Sequence, residues 1–217
     1  VSNTKSAAPA IEFGKANQKI VVDKFVTDLF VMTNNYNWLY GENRNELKVR
    51  DLGYYIGYEI CERYYNLSKD KTRAIKELIE LDYTNEEEVE RIVNSTKLLP
   101  ESLEELYKEY ENQRPKVLSI APFENGSQKV KPGIIQISIN FSEEMDPNHR
   151  GFDYGPLGED YIYTFRQLTG WSNHNKTITI EVEVMPNRQY QAFITNRFRS
   201  KNGFALEPYL IDFKTVE

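Results

Sequence analysis

The sequence predicts a multidomain α + β chain, in which an N-terminal, bundle-like helical part precedes an antiparallel β-sandwich of about seven strands. Before Pro115 the apolar residues recur every three or four positions, and after it they alternate every second position. The pair Arg114 and Pro115 separates the two patterns, since proline cannot continue a helix. We therefore expect a flexible tail over residues 1–15, a helical domain over 16–113 and a sandwich over 114–217.

Length, composition and charge narrow the range of functions. The 217 residues suffice for two cores of roughly 100 residues each, and 40% hydrophobic with 28% charged residues is typical of a globular protein. No apolar run approaches the roughly 20 residues of a membrane span, so no transmembrane segment is expected. A net charge of −6 argues against a nucleic-acid partner. A monomer is expected.

Five helices are predicted in the first half, over about residues 16–33, 51–65, 69–81, 84–95 and 101–113. The carboxylate of Asp51 is expected to cap the second helix, because it can accept hydrogen bonds from free amides of the first turn. Thr84 and Glu87 have the spacing of a capping box, which predicts the start of the fourth helix. The acidic fifth helix is interpreted as carrying a solvated face.

The second helix, DLGYYIGYEICERYY, carries the clearest packing signal of the first half. Gly53 and Gly57 lie on one face, and since interior glycine costs about 1 kcal/mol relative to alanine, a close helix or backbone approach is expected there. Its five tyrosines spread around the helix and predict burial on most sides, with a ligand-facing role as the alternative. Cys61, the only cysteine, is expected to be a buried small hydrophobe.

Two long strands define the predicted sandwich. Ile135, Ile137, Ile139 and Phe141 point to one face while polar residues occupy the other, and a second strand repeats this arrangement with Ile178, Ile180, Val182 and Val184. Turn sequences such as ENG, KPG, SNHNK and SKNG separate the strands. A two-sheet antiparallel sandwich follows from this alternation.

The second half resembles the bacterial Ig-like domain of S-layer and other surface proteins. The resemblance is carried by P-K-V-x-x-I-x-P-x-x-x-G, I-x-F-S-E-E-M-D, Trp171, K-T-I-T-I, P-N-R-x-Y-x-x-x-I, Gly203 and F-K-T, in order from about Pro115 to Glu217. The aromatic segment FDYGPLGEDYIYTFRQ departs from the pattern. The resemblance implies an extracytoplasmic bacterial protein and a role as spacer, docking surface or support, with no chemistry of its own.

The first half is similar, over about residues 25–100, to the C-terminal end of predicted gluzincin-type zinc peptidases of Bacteroidetes. The similarity rests on W-L-Y-G, R-D-L-G-Y-Y-I-G-Y-E-I-C-E-R-Y-Y and D-Y-T-N-E-E. Such peptidases need H-E-x-x-H, whereas this chain has only His149 and His174, both in polar turns and expected at the surface. No zinc site and no catalytic residue are therefore expected in this chain.

These observations lead to a hypothesis about function. The chain, which begins at Val1, is interpreted as the C-terminal portion of an exported metallopeptidase-like protein, a helical wall of the peptidase cleft plus an Ig-like accessory module. Zinc is expected only if an H-E-x-x-H segment lies upstream. Arg50 is predicted to hold a substrate carboxylate, and Tyr54 and Tyr58 to donate hydrogen bonds to a polarised carbonyl.

The alternative is a non-enzymatic cell-surface protein with a protein or carbohydrate partner, bound by the aromatics of GFDYGPLGEDYIYTF. A degenerate peptidase retained as a binding fold is a third possibility. Acidic residues also occur in the loops of the second half and could offer oxygen ligands to calcium, but their spacing favours solvated loop acids: Asp146, Asp153, Glu159 and Asp160.

Overall fold

The structure is a computed structural model that describes residues 8–31, 34–39 and 46–217. The chain divides into two compact units, Val1–Asn112 and Gln113–Glu217. The first unit is helical and the second consists of two antiparallel sheets, which confirms the predicted fold class. None of the helices in the described ranges is long and apolar enough to span a membrane.

The described part of the helical unit contains seven helices, two more than predicted. They are α1 (Ala8–Ala16), α2 (Gln18–Asp28), α3 (Asn35–Leu39), α4 (Leu52–Leu67), α5 (Lys71–Ile79), α6 (Glu86–Thr96) and α7 (Leu103–Asn112). Helix α4 is central and contacts α1, α3, α5 and α6. Its buried stripe is Leu52, Tyr55, Ile56 and Glu59, the spacing of one helical face.

Helix α1 corrects the predicted flexible tail. The chain is helical from Ala8, with Ala10 only 1% exposed. Gly14 lies directly against the ring of Tyr55, where a Cβ atom would fall 2.2 Å from the ring carbon Cγ. Contact with α4 therefore orders a segment whose small residues gave little signal in the sequence. Residues 1–7 lie outside the described residues, and for them the tail stays a prediction.

The two glycines of α4 differ in their surroundings. A Cβ atom on Gly53 would lie 2.9 Å from the carbonyl oxygen of Trp38, so the predicted close backbone approach is present there. A Cβ atom on Gly57 would meet nothing within 4 Å. The close approach is thus confirmed for Gly53 and wrong for Gly57.

Burial along α4 is also narrower than predicted. Tyr55 is fully buried, but Tyr54 is 53% exposed and Cys61 is exposed. Cys61 falls outside the stripe that begins at Leu52, so neither helical burial on most sides nor a buried cysteine is correct.

The helix caps differ from those predicted. Asp51 has a left-handed backbone (φ 62°), and its carboxylate pairs with the Nε atom of Arg50 at 3.1 Å instead of capping α4. Helix α6 is capped by Asn85, whose side chain accepts from the amide of Glu88. The hydroxyl of Thr84 instead donates to Asp82 at 2.7 Å. The side chain of Asn85, one residue after Thr84, is therefore the one that reaches an amide in the first turn of α6.

The second unit contains seven described strands. They are β1 (Val117–Ala121), β2 (Gly133–Phe141), β3 (Phe152–Tyr154), β4 (Thr164–Ser172), β5 (Thr177–Val184), β6 (Gln189–Ile194) and β7 (Tyr209–Lys214). One sheet has the order β1-β2-β5-β4 and the other β3-β6-β7, with every strand pair antiparallel. The architecture is a sandwich of two sheets.

The predicted alternation of β2 and β5 is confirmed by their register. Ile137 lies opposite Ile180 and Ile139 opposite Ile178, and all four side chains are fully buried. The opposite face is polar, with Ser138 and Thr179 joined by a hydrogen bond of 2.9 Å. The core between the sheets is completed by Phe198, Leu206, Ile211 and Phe213.

Candidate functional site

An open groove of about 700 Å³ lies in the helical unit. Helices α2, α4 and α6 and the segment that joins α6 to α7 supply its walls. The lining residues are Gln18, Lys19, Val22, Asp23, Arg63, Val93, Asn94, Lys97, Leu98, Leu99, Pro100, Glu101 and Ser102. The groove thus combines apolar walls with charges of both signs.

A buried carboxylate fixes the polar side of the groove. Glu59 is 7% exposed, and its Oε2 atom accepts from the side-chain amide of Gln18 at 3.0 Å and from the Nε atom of Arg63 at 3.3 Å. The same Gln18 amide also donates to the hydroxyl of Tyr55 at 3.1 Å. Burial raises the pKa of the Tyr55 phenol. Glu59 therefore holds Arg63 at the groove by a charge-assisted hydrogen bond.

The α6–α7 segment shapes the apolar wall. Lys97 has a left-handed backbone (φ 50°) that ends α6, and Leu98 and Leu99 then turn inward and are 7% and 8% exposed. The Nη1 group of Arg63 donates to the Lys97 carbonyl at 3.3 Å, which ties this turn to α4. At the far end of the segment, the side chain of Asn94 accepts from the amide of Leu103 at 3.0 Å. Both ends of the wall are held by hydrogen bonds.

The charged side chains at the rim of the groove are of two kinds, those in an ion pair and those outside any ion pair of the described residues. Lys19 and Asp23 form an exposed ion pair at 2.6 Å. Lys97 and Glu101 are exposed, and no ion pair involves either of them within the described ranges. The cations Arg63 and Lys97 line the same groove as the apolar Leu98 and Leu99.

The three predicted cleft residues lie elsewhere in the helical unit. Arg50 pairs with Asp51, Tyr54 is 53% exposed, and Tyr58 donates from its hydroxyl to Glu62. The hydroxyl of Tyr58 also accepts from Lys15 at 3.2 Å, and this bond raises the pKa of that lysine. None of the three lines the groove. Their role at a substrate cleft stays a prediction.

Sequence reasoning missed the groove residues Gln18 and Arg63. Glu59 and Arg63 are one helical turn apart, a spacing that signals an ion pair and was visible in the sequence. Gln18, which is 41 residues from Glu59, gave no such signal. Only the contact between the helices brings these groups together.

The predicted loop groups of the second unit are at the surface. His149 and His174 are both exposed, as predicted, and the Nδ1 atom of His149 lies 2.9 Å from the carboxylate of Asp146. The described residues contain no group of three side chains suited to a metal ion. Hydrogen bonds, chiefly from the backbone amide of Asn148, lower the pKa of Asp146.

The aromatic segment that runs from the end of β3 to the start of β4 exposes several large hydrophobic side chains. Tyr154, Leu157, Tyr161 and Phe165 are 37% to 49% exposed. The amide of Leu157 donates to the side chain of Gln191 at 3.1 Å, which fixes this segment on β6. The predicted contact surface is therefore accessible, and its partner stays a prediction.

Comparisons with known proteins give only distant similarity. No protein-family model and no curated protein matches the chain. Among solved structures, CopC from Methylosinus trichosporium OB3b is 10% identical and covers 48% of this chain and 94% of its own, with a TM-score of 0.37. The S-layer protein rSbsC(31-844) is 11% identical, covers 93% of this chain and has a TM-score of 0.34. This chain spans 24% of that S-layer protein's length.

Fold and site together define a class of protein. It is a two-unit chain that joins a grooved helical unit to an antiparallel β-sandwich.

Proposed function

We propose that this chain is the non-catalytic binding and accessory part of an exported bacterial protein. The helical unit binds a ligand in its groove, and the Ig-like sandwich serves as spacer or docking support outside the cytoplasm. The observation that carries the proposal is the groove, in which a guanidinium held by buried Glu59 lies beside the apolar Leu98 and Leu99. Its volume of about 700 Å³ is within the usual range of ligand sites.

The extracytoplasmic assignment is supported by the sandwich. The motifs shared with bacterial Ig-like surface domains run in order through the second unit, and the seven strands form the two antiparallel sheets that this resemblance implies. The sandwich interior is apolar throughout the β2–β5 pair, which suits a structural module.

A thermal-shift screen tests the groove. Short peptides and oligosaccharides represent the two ligand classes, and a ligand of the groove raises the unfolding temperature through mass action. Pro100→Trp fills the groove from an exposed lining position and is expected to abolish the shift. Lys76→Trp, at an exposed position of α5 outside the lining, is the matched control and keeps it. A shift that survives Pro100→Trp, or no shift with any probe, contradicts the proposal.

A second candidate is the helical wall of a peptidase cleft. It is favoured by the position of Tyr54 and Tyr58 one turn apart on α4, directly after Arg50. In this case a longer protein supplies an H-E-x-x-H segment that binds zinc, Arg50 holds a substrate carboxylate, and the tyrosines donate to the polarised carbonyl.

The longer polypeptide distinguishes the two candidates. Peptide cleavage that depends on zinc, and that Tyr54→Phe slows about tenfold or more, is expected for a cleft wall. Tyr83→Phe, at a 78% exposed tyrosine, is the matched control with unchanged turnover. Equal turnover in both variants rules out the catalytic role of Tyr54.

A further inference from the structure

The guanidinium of Arg63 is only partly used by the protein. Its Nε atom donates to Glu59 and its Nη1 group to the carbonyl of Lys97. The described part of the chain supplies no hydrogen-bond partner for Nη2, and the side chain is 33% exposed and lines the groove. These two bonds fix the plane of the guanidinium, so the N–H groups of Nη2 keep a fixed direction in which they can donate to a carboxylate.

The ammonium group of Lys97 adds a second positive charge at the same wall. The backbone carbonyl of Lys97 accepts a hydrogen bond from Arg63, so the two residues are directly linked. Because Lys97 is exposed and Arg63 is partly exposed, both can contact a ligand without unfolding the groove. The buried Leu98 and Leu99 follow Lys97 directly in the chain, and Pro100 completes the apolar wall.

We infer that the groove binds the C-terminal carboxylate of a peptide whose last residue is apolar. Arg63 and Lys97 hold the carboxylate, and the terminal side chain lies against Leu98, Leu99 and Pro100. This inference rests on the proposed function, because it names the ligand of the same groove. Hydrogen bonds between charged partners are roughly twice as strong as neutral ones, so the carboxylate is expected to dominate the affinity.

The rim argues for a single negative charge on the ligand. Asp23 and Glu101 line the same groove and would repel a dianion such as phosphate more strongly than a carboxylate. Those two acids can also accept hydrogen bonds from the amides of an approaching peptide. A peptide end therefore matches the charges better than an inorganic anion does.

Calorimetric titration with a matched peptide pair tests the inference. Acetyl-Ala-Ala-Leu with a free carboxylate is expected to bind at least about tenfold more tightly than the same peptide with a C-terminal amide. Inorganic phosphate is the third probe and is expected not to displace the acid. Equal binding of acid and amide, or displacement by phosphate, overturns the inference.

Variants locate the carboxylate on the protein. Arg63→Gln and Lys97→Gln are each expected to weaken the acid about tenfold and to leave the amide unchanged, because only the acid uses the charge. Lys97→Gln changes an exposed residue, so it tests the site even if Arg63→Gln disturbs Glu59. Arg73→Gln, at an exposed ion pair of α5 outside the groove, is the control. Loss of affinity in the control as well contradicts the assignment.

The outcomes separate this inference from the proposed function. If the acid peptide fails to bind, but Pro100→Trp abolishes the thermal shift caused by another probe of the screen, the carboxylate inference is overturned. The groove then remains a binding site. If no probe binds at all, the proposed function is overturned together with it.

Discussion

The hydroxyl of Tyr190 accepts a hydrogen bond of 2.6 Å from the backbone amide of Met185. Tyr190 is 2% exposed and its ring stacks on Phe213, so the bond closes the β5–β6 connection against the core. Another tyrosine of the same core, Tyr163, is 3% exposed, and its hydroxyl has no partner among the described residues. Burial raises the pKa of the Tyr163 phenol accordingly.

These two tyrosines should respond in opposite directions to loss of the hydroxyl. Tyr190→Phe is expected to lower the free energy of unfolding by about 1 kcal/mol, because the Met185 amide loses its acceptor. Tyr163→Phe is expected to raise it by about 1 kcal/mol, because an unpaired buried hydroxyl is removed. Urea denaturation followed by the fluorescence of Trp171, in a Trp38→Phe background, measures both. The same sign for both variants contradicts the assignment of their environments.

The glycines of α4 form a second matched pair. Gly57→Ala is expected to stabilise the helical unit by about 0.5–1 kcal/mol, since alanine favours the helix and the added methyl group meets nothing within 4 Å. Gly53→Ala is expected to destabilise it by about 1–3 kcal/mol, because its methyl group lies 2.9 Å from the Trp38 carbonyl oxygen. Urea denaturation followed by Trp38 fluorescence in a Trp171→Phe background distinguishes them. A stabilising Gly53→Ala would exclude the close approach.

Asp28 is the most fully hydrogen-bonded acid of the helical unit that the structure describes. Its Oδ1 atom accepts from Lys24 at 3.1 Å and Asn34 at 2.9 Å, and its Oδ2 atom accepts from the indole N–H of Trp38 at 3.1 Å. Asp28→Asn places an amide donor among donors and is expected to cost about 3 kcal/mol. Asp23→Asn, which breaks only the exposed pair with Lys19, is the control and costs about 0.5 kcal/mol or less. Trp38 fluorescence in urea reports both, and equal losses would refute a structural role for Asp28.

Two acids of the sandwich predict opposite dependences on pH. Hydrogen bonds from Asn148 and His149 lower the pKa of Asp146 in the folded state. Its contribution to stability is therefore present above its unfolded pKa of about 4 and is lost as pH falls through the lower folded value. Burial instead raises the pKa of Glu143, so its contribution is present below the unfolded pKa and is lost as pH rises through the folded value.

The test compares Asp146→Asn with Glu143→Gln. Asp146→Asn is expected to be less stable than the unmodified chain at neutral pH, with a difference that shrinks as pH falls below about 4. Glu143→Gln is expected to be more stable at neutral pH, with a gain that shrinks in acid. Urea denaturation at a series of pH values, from neutral to below about 4, gives the unfolding free energy of each variant as a function of pH. The same pH dependence in both variants would contradict the opposite contributions assigned to Asp146 and Glu143.

The sandwich shows how much of the fold was predictable. The alternation in β2 and β5 identified the buried face, because a strand places every second side chain on the same side. The pairing order β1-β2-β5-β4 was not predictable, since it depends on contacts between strands far apart in the chain. Likewise α1 was not predicted, because the role of Gly14 depends on its contact with the ring of Tyr55, 41 residues later in the chain.

The sequence by itself determined two classes of secondary structure, the change between them near Pro115, and the apolar faces of α4, β2 and β5. These depend on local periodicity, which neighbouring residues encode. Only the tertiary structure decided that Gln18, Glu59 and Arg63 meet at one groove while Arg50, Tyr54 and Tyr58 lie outside it. The physical reason is that a binding site depends on distances between helices, and side-chain packing across the whole unit sets those distances.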